Sequence, residues 1–411
     1  MSATGEEGWQ KDRGETKRSA TLPLSVVSLG TVSLLNDASS EMIYPLLPVF
    51  LRTHLGASLP FVGLVEGIAE LVSSLMKLTS GWLADRFGRH KLITFIGYLI
   101  AAVTRPLMAW VQTPTQVLVL RFVDRTGKGI RTSPRDALLA ACAPPTKRGL
   151  AFGFHRSMDN LGALIGPVLA WLLLIVHPND YRTVFLWAAV PAFLSLFVLY
   201  AFVPNSAPSR PPSPSPSSPA PTVSNPSLIR VFSHKSFRWF LLSIFLFSLG
   251  NSSDAFLLLR ATEAGLDPQW VPLLWALLNG VRTLSATPCG ALSDRLGRVQ
   301  SIVAGWLIYS VVYFGFAFAF HPIHPWFLMG CYGLYFGLTE GPERALVADL
   351  VGPGERGTAF SLYHSTVGLS LLPASVLFGL LWHHFGSTTA FLTGSTLALM
   401  ASAILIGKVK K

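Results

Sequence analysis

Charge is what this chain has least of. Only 13% of its 411 residues are Asp, Glu, Lys or Arg, about half of the roughly 25% usual in soluble domains. That leaves too little polar surface to face water on all sides. With 51% hydrophobic residues spread almost end to end, the expected solvent is lipid. Cysteine is nearly absent as well. Cys142, Cys289 and Cys331 lie far apart, with no CxxC pair and no Cys/His metal spacing, so neither a disulfide framework nor a metal site is expected. The three read as small helix-packing residues. Nucleotide and catalytic signatures are missing. Gly127-Lys128-Gly129 lacks the spacing of a phosphate loop, and no G-x-S-x-G, H-E-x-x-H or dinucleotide fingerprint occurs. ATP-driven pumping is excluded for the chain acting alone, and no enzymatic activity or cofactor is expected. Residues 1–20 are polar and charged. The apolar stretch that follows is too long for a signal peptide's apolar region, so it is expected to stay as a membrane span.

What is present is a series of apolar runs of the length a spanning helix needs, about 20 residues. Candidates lie near 22–51, 60–84, 91–111, 115–142, 150–176 and 182–203. After a break come 236–262, 270–293, 299–320, 324–350, 357–383 and 388–407. None alternates as a membrane barrel strand would, and helices satisfy their own backbone groups in lipid. The expected fold is therefore all-α and integral to the membrane, with twelve transmembrane helices in two pseudo-symmetric six-helix bundles. The break at 204–228, PNSAPSRPPSPSPSSPAPTVSNPSL, is dominated by Pro and Ser and reads as a linker. The division is a tail at 1–21, a six-helix bundle at 22–203, a linker at 204–235, a second bundle at 236–407 and a short tail at 408–411.

The net charge of +11 admits two readings, nucleic-acid binding or basic cytoplasmic loops. Position favours loops. With the N-terminus in the cytoplasm, Arg86, Arg89, Lys91, Lys147, Arg148, Arg210, Arg230, Lys235, Arg238, Arg295, Arg298, Arg356, Lys408, Lys410 and Lys411 all fall inside. The opposite loops hold little beyond Arg52 and Arg182. Both termini are expected in the cytoplasm of a cell-membrane protein, with lipid as a partner and no nucleic acid. Trp110, Trp270 and Trp326 sit at span ends as interfacial anchors.

The halves repeat. GWLADRFGRHK at 81–91 recurs as GALSDRLGRVQ at 290–300, KRGLAFGFH at 147–155 recurs weakly as ERGTAFSLYH at 355–364, and Asn36-Asp37 has an echo in Asn251 to Asp254. The loop after span 2, with Gly81, Asp85, Arg86, Gly88 and Arg89, and its second copy with Asp294, Arg295 and Arg298, resembles the major facilitator superfamily. That family carries G-x-L-a-D-R-x-G-R-[KR] between helices 2 and 3 and a degenerate copy between helices 8 and 9. The resemblance covers nearly the whole chain. It implies a secondary transporter in which these residues latch the cytoplasmic side. Gly162, Gly166 and Pro167 in span 5 look like the family's antiporter motif without its trailing Gly-Gly. Read from the residues alone, small residues four apart pack two helices closely. Arg125-T-G-Lys128-Gly129 resembles the family's R-x-x-Q-G in helix 4, with Lys128 in place of Gln; the family links that Arg to proton coupling.

Span 4 is the unusual one, with seven of its first sixteen residues charged. Arg121, Asp124, Arg125 and Lys128 share a helical face. A charge at mid-membrane is costly and normally faces an interior cavity with a partner. Asp37 and Glu41 lie one turn apart, and Glu66, Glu70 and Lys77 fall on one face. Asp37, Glu66 and Glu70 are the candidate proton-linked groups, with Arg125 as modulator. Static pairing of spans 1, 2 and 4 is the competing reading. Glu41, Arg121, Lys128, Asp254, Arg282 and Trp275 are candidate substrate-cavity residues, with Asp254 and Arg282 standing as isolated charges; Tyr335 is a further aromatic candidate. Arg131, Arg135 and Asp136 suit gate pairs, as do Glu340, Glu343, Arg344 and Asp349 in span 10. His155 and Asp159, beside Arg156, form either a protonatable or a structural pair. The function expected is proton-coupled transport of a small molecule by a monomer through alternating access, with efflux by antiport ahead of anion uptake by symport. A non-transporting sensor or receptor on the same fold is the reading from a different class.

Overall fold

The computed structural model describes residues 22–87, 89–143, 148–204, 231, 233–352 and 356–409. Among these residues there are helices and no strands. The first half of the chain forms α1 (Leu24–Ile43), α2 (Leu47–Thr53), α3 (Leu59–Phe87), α4 (His90–Leu107), α5 (Pro114–Cys142), α6 (Arg148–Val176), α7 (Tyr181–Trp187) and α8 (Ala189–Phe202). The second half forms α9 (Lys235–Gly250), α10 (Ala255–Glu263), α11 (Val271–Leu296), α12 (Arg298–Ala317), α13 (Ile323–Asp349) and α14 (Arg356–Lys408).

Each predicted span falls on helix. Local chemistry explains where the helices break. Spans 1, 6 and 7 are each divided, as α1–α2, α7–α8 and α9–α10. Pro45 and Pro48 punctuate the first of these, since proline removes a helix donor. Spans 11 and 12 both run through α14, which reverses at Gly386 with φ 87° and ψ 163°, a conformation open to a residue without Cβ. α5 starts on a reciprocal capping box between Thr113 and Gln116, so its charged stretch is the interior of a helix begun by its own sequence. Val231, assigned to the linker from sequence, is fully buried, and α9 already begins at Lys235. Residues 205–230 and 232 of the linker and the tail 1–21 lie outside the described residues, as do Lys410 and Lys411.

Among the described residues, seven stretches are long and apolar enough to cross a membrane by length and composition, including Leu59–Lys77, His90–Trp110 and Arg298–Ala317. Large apolar side chains face outward without cover, for example Tyr200, Val311 and Phe327.

The packing repeats between the halves. α1 lies on α6 and α8, and α5 lies on α3 and α4. In the second half α9 lies on α14, and α13 lies on α11 and α12. The halves meet through α3 on α14 and α6 on α11, and these two contacts exchange when the halves are exchanged. Glycines set the close approaches. A Cβ on Gly97 would sit 2.7 Å from the Gly127 carbonyl oxygen, and one on Gly127 would sit 2.8 Å from that of Gly97. α4 and α5 therefore touch backbone to backbone. Arg89, Lys91, Arg295 and Arg298 mark one end of the molecule, here called the basic end.

The central cavity and its charged helix

A cavity of about 370 Å³ lies between the halves. The first half lines it with Tyr44, Glu66 and Glu70. The second half contributes Asn251 to Asp254, Arg282, Tyr332, Phe336, Leu371 and Ser375. Local sequence opens it there. The chain leaves α9 at Gly250, runs outside helix from Asn251 to Asp254 and re-enters helix at Ala255. The freed backbone finds partners: Ser253 N donates to Ser375 Oγ at 3.3 Å, and Tyr309 Oη donates to the Gly250 carbonyl at 2.8 Å. A backbone break at membrane depth is tolerated where it borders a cavity inside the protein.

α5 brings its charges to the back of this cavity. Arg121 Nη2 donates to both carboxylate oxygens of Glu66, at 3.0 and 3.1 Å, and both side chains are buried. The Arg121 guanidinium also lies 5.6 Å from the centre of the Tyr44 ring. Asp124 pairs with Arg105 at 3.3 Å, and Arg105 donates to the Asn36 carbonyl at 2.9 Å. Arg125 and Lys128 are the principal cations acting on Glu70, joined by Lys77 and Arg121. Arg125 is buried, and its Nε has no hydrogen-bond partner among the described residues. Glu66 and Glu70 both line the cavity, and the direct partner of Glu66 is Arg121 rather than Arg125. Asp37 lies apart from the cavity lining, accepting from Asn36 Nδ2 at 3.0 Å beside the α1–α6 seam.

Glu41 and Trp275, expected in the substrate cavity, form a link between the halves. Trp275 Nε1 donates to Glu41 Oε2 at 2.7 Å, and the Tyr44 and Trp275 rings are 5.0 Å apart. Asp254 and Arg282, expected to be isolated, are not. Asp254 accepts from Tyr332 Oη at 2.8 Å. Arg282 pairs with Glu340 and lies 4.3 Å over the Phe336 ring. Sequence periodicity cannot see partners that arrive from a helix 58 residues away. Tyr335 sits in a buried aromatic stack with Tyr309 and Tyr332, at 5.3 and 5.4 Å.

The remaining candidates spread toward the basic end. Asp159 accepts from Ser33 and lies 3.6 Å from His155 Nδ1, while Arg135 pairs with Asp136 at 2.9 Å and reaches Ser33. Arg156 is exposed. Arg131 covers the Tyr98 ring at 4.7 Å. Glu343 accepts from Tyr363 Oη at 2.7 Å and from Trp306 Nε1 at 3.3 Å, tying α13 to α14 and α12; Arg344 is exposed. Arg298 meets Asp349 at 3.5 Å. Of the loop motif, Gly81, Asp85 and Arg86 lie in the last turns of α3, and Arg89 and Arg295 are exposed. Asp294 lies in α11. The side chains of Asp85, Arg86 and Asp294, and Gly88 altogether, lie outside the described residues. Gly162 and Gly166 press α6 onto α1, where added Cβ atoms would strike the carbonyl oxygens of Leu34 and Ala38; Pro167 follows inside the helix. Trp110 is exposed, and Trp270 lies 5.8 Å from Trp171 across the halves.

The Major Facilitator Superfamily profile matches residues 29–374. The chain belongs to that superfamily. An uncharacterized MFS-type transporter of Methanocaldococcus jannaschii is 33% identical over 407 residues, 98% of each chain. Multidrug resistance protein MdtH of Proteus mirabilis is 25% identical over 324 residues, 77% of this chain and 76% of that one. Among solved structures, a variant of the nucleoside transporter NupG superposes with a TM-score of 0.79 at 14% identity, covering 94% of this chain and 100% of that chain. A peptide transporter POT variant gives 0.77 at 15%, covering 93% and 94%. Those two likenesses show the fold. This superfamily member is a multi-pass membrane protein of transporter type.

Sequence reading missed Arg105, Tyr44, Tyr332 and Phe336. A signal existed for Arg105, a cation inside the apolar span 3 well beyond the Lys91 that opens it. Nothing marked the three aromatic residues among so many others.

Proposed function

We propose that this protein is a proton-coupled secondary transporter of a small molecule, working as a monomer by alternating access and exporting its substrate by antiport. It would sit in the cell membrane with both termini in the cytoplasm and the basic end inward. Residues 22–203 and 236–407 would move as two six-helix bundles. The observation that carries this reading is the cavity between the halves, which sets Glu66 and Glu70 against the cations of α5 and takes its far wall from the second half. Carboxylates held against Arg121, Arg125 and Lys128 change their proton affinity when those distances change, because an opposite charge nearby favours the ionised form and desolvation disfavours it. Asp37 would relay protons along α1. Gly81, Asp85, Arg86, Gly88 and Arg89, with Asp294, Arg295 and Arg298, would close the basic end. Export is supported by the Gly162-to-Pro167 motif and by the relatives named for multidrug resistance.

The test is flux in proteoliposomes under an imposed pH gradient, with a panel of drugs, sugars and organic acids. Antiport predicts that substrate leaves as protons enter, that an uncoupler abolishes the flux, and that Glu70→Gln removes its dependence on the gradient. Flux indifferent to the uncoupler would overturn the coupling. A second reading, uptake of an anionic solute by symport, draws on the unpartnered Arg125 Nε; accumulation driven by an acidic exterior would select it. A sensor or receptor would tolerate Asp85→Asn, whereas a transporter loses turnover and keeps its fold.

A further inference from the structure

One pair of ionisable residues has no part in the function proposed above. Asp159 and His155 lie one turn apart on α6, which packs on α1 inside the first half. Ser33 Oγ of α1 donates to one carboxylate oxygen of Asp159, and His155 Nδ1 lies 3.6 Å from the other. Asp37 follows Ser33 by one turn of α1. Gly162 follows Asp159 by about one turn of α6, and a Cβ on it would sit 3.1 Å from the Asp37 Cβ. The α1–α6 seam thus carries Asp37, Asp159 and His155 in file from mid-helix toward the basic end. Both ends of the file meet other ionisable groups. Lys128 of α5 is acted on by Glu70 of the cavity and by Asp37. Asp136 of α5, half-exposed, acts on His155. The charges around the file are Asp37 on α1, Arg135 and Asp136 on α5 and Arg156 on α6. Arg135 pairs with Asp136 and reaches Ser33, so the Asp159 carboxylate is held by a hydroxyl and an imidazole. His155 Nε2, Tyr98 Oη and Arg131 Nη1 are buried and have no hydrogen-bond partner among the described residues. Tyr98 acts on Arg135, and Arg131 covers its ring. Buried polar atoms of this kind recruit ordered water, and water bridges a gap such as the one between His155 and Asp159.

Resting on the proton-coupled reading above, we propose that protons pass to and from the basic end through the interior of the first half, by way of Asp37, Asp159 and His155, rather than along the cleft between the halves. Asp159 and His155 carry the proton, and Ser33 positions the Asp159 carboxylate. The experiment is a light-triggered pH jump on purified full-length protein in lipid nanodiscs, with the infrared stretch of protonated carboxyl groups followed in time. Asp159→Asn should remove part of the band that wild type develops. His155→Gln and His155→Phe should keep that part at its final amplitude and slow its rise about tenfold or more, since a positioned acid–base group speeds proton transfer by at least that. Asp159→Glu keeps a carboxyl at the seam and should retain both band and rate. A band unchanged in Asp159→Asn, or a rise as fast in both His155 variants as in wild type, would overturn the relay. Gradient-driven flux of the solute panel in proteoliposomes, measured on the same variants, separates the two claims. Flux that Asp159→Asn and His155→Gln retain in full overturns the relay and leaves the transport reading standing. A slowed carboxyl band in the His155 variants, with no gradient-driven flux by wild type, supports the relay and overturns proton-coupled transport.

Discussion

Arg121 and Glu66 show how a single pair can be both structural and functional. Two charges buried together compensate each other, and removing one leaves the other exposed to a low-dielectric surrounding. Arg121→Met or Glu66→Gln should each lower stability by about 3–5 kcal/mol, read as thermal unfolding by tryptophan fluorescence. The double variant should recover most of that loss. A loss equal to the sum of the single losses would show that the two residues act independently. The candidate residues were partly legible beforehand. Glu66, Glu70 and Arg125 stood out because ionisable groups in apolar spans are rare enough to imply a purpose. Their exact partners were not legible, because helical spacing fixes which residues share a face and says nothing of which helix that face meets. Hence Arg105, the partner of Asp124, escaped notice, and Arg282 looked alone until α13 delivered Glu340.

At the scale of the element, the question is how a helix as polar as α5 is seated among apolar neighbours. Its glycines answer it. Gly127 meets Gly97 of α4, and Gly129 meets α3 at the Ser73 carbonyl, 2.8 Å from an added Cβ. Ser80 and Ser133 add hydrogen bonds of 3.0 Å across the α3–α5 seam. Gly127→Val should force α4 and α5 apart and cost about 3 kcal/mol, seen as a lower unfolding temperature and a smaller folded fraction on size exclusion. Gly330→Ala, with nothing within 4 Å of the added atom, should be neutral or stabilising by up to about 1 kcal/mol, as Ala favours helix over Gly. At Gly386 the backbone is left-handed, so Gly386→Ala should cost about 1 kcal/mol and loosen the turn between the limbs of α14. Equal unfolding temperatures for the three variants would contradict this account of the packing. The sequence signalled α5 by its charge density. It concealed the role of Gly127 and Gly129, which looked like part of a family pattern rather than seams between helices.

At the scale of the whole molecule, hydropathy and the Lys/Arg distribution together made the membrane class and the helical spans readable, because lipid imposes length and composition directly. What they could not give was the relation between the halves, which depends on long-range packing. In the structure the halves are joined away from the basic end: Glu41 to Trp275, Trp171 beside Trp270, α2 on α10, and Gly379 against the Leu59 carbonyl, 2.7 Å from an added Cβ. If these are the contacts of one of two alternating states, they must part when the basic end closes. Glu41→Gln should leave the fold intact and shift the balance of states, because it replaces a charge-assisted acceptor for Trp275 with a neutral one. The most direct measurement is the distance between paired spin labels at each end, Thr53 with Glu263 and Leu92 with Gln300, by pulsed electron resonance in lipid nanodiscs under acidic and alkaline conditions. The account predicts two populations at each end, with one pair lengthening as the other shortens when the pH changes. A single distance at both ends, unmoved by pH, would contradict it.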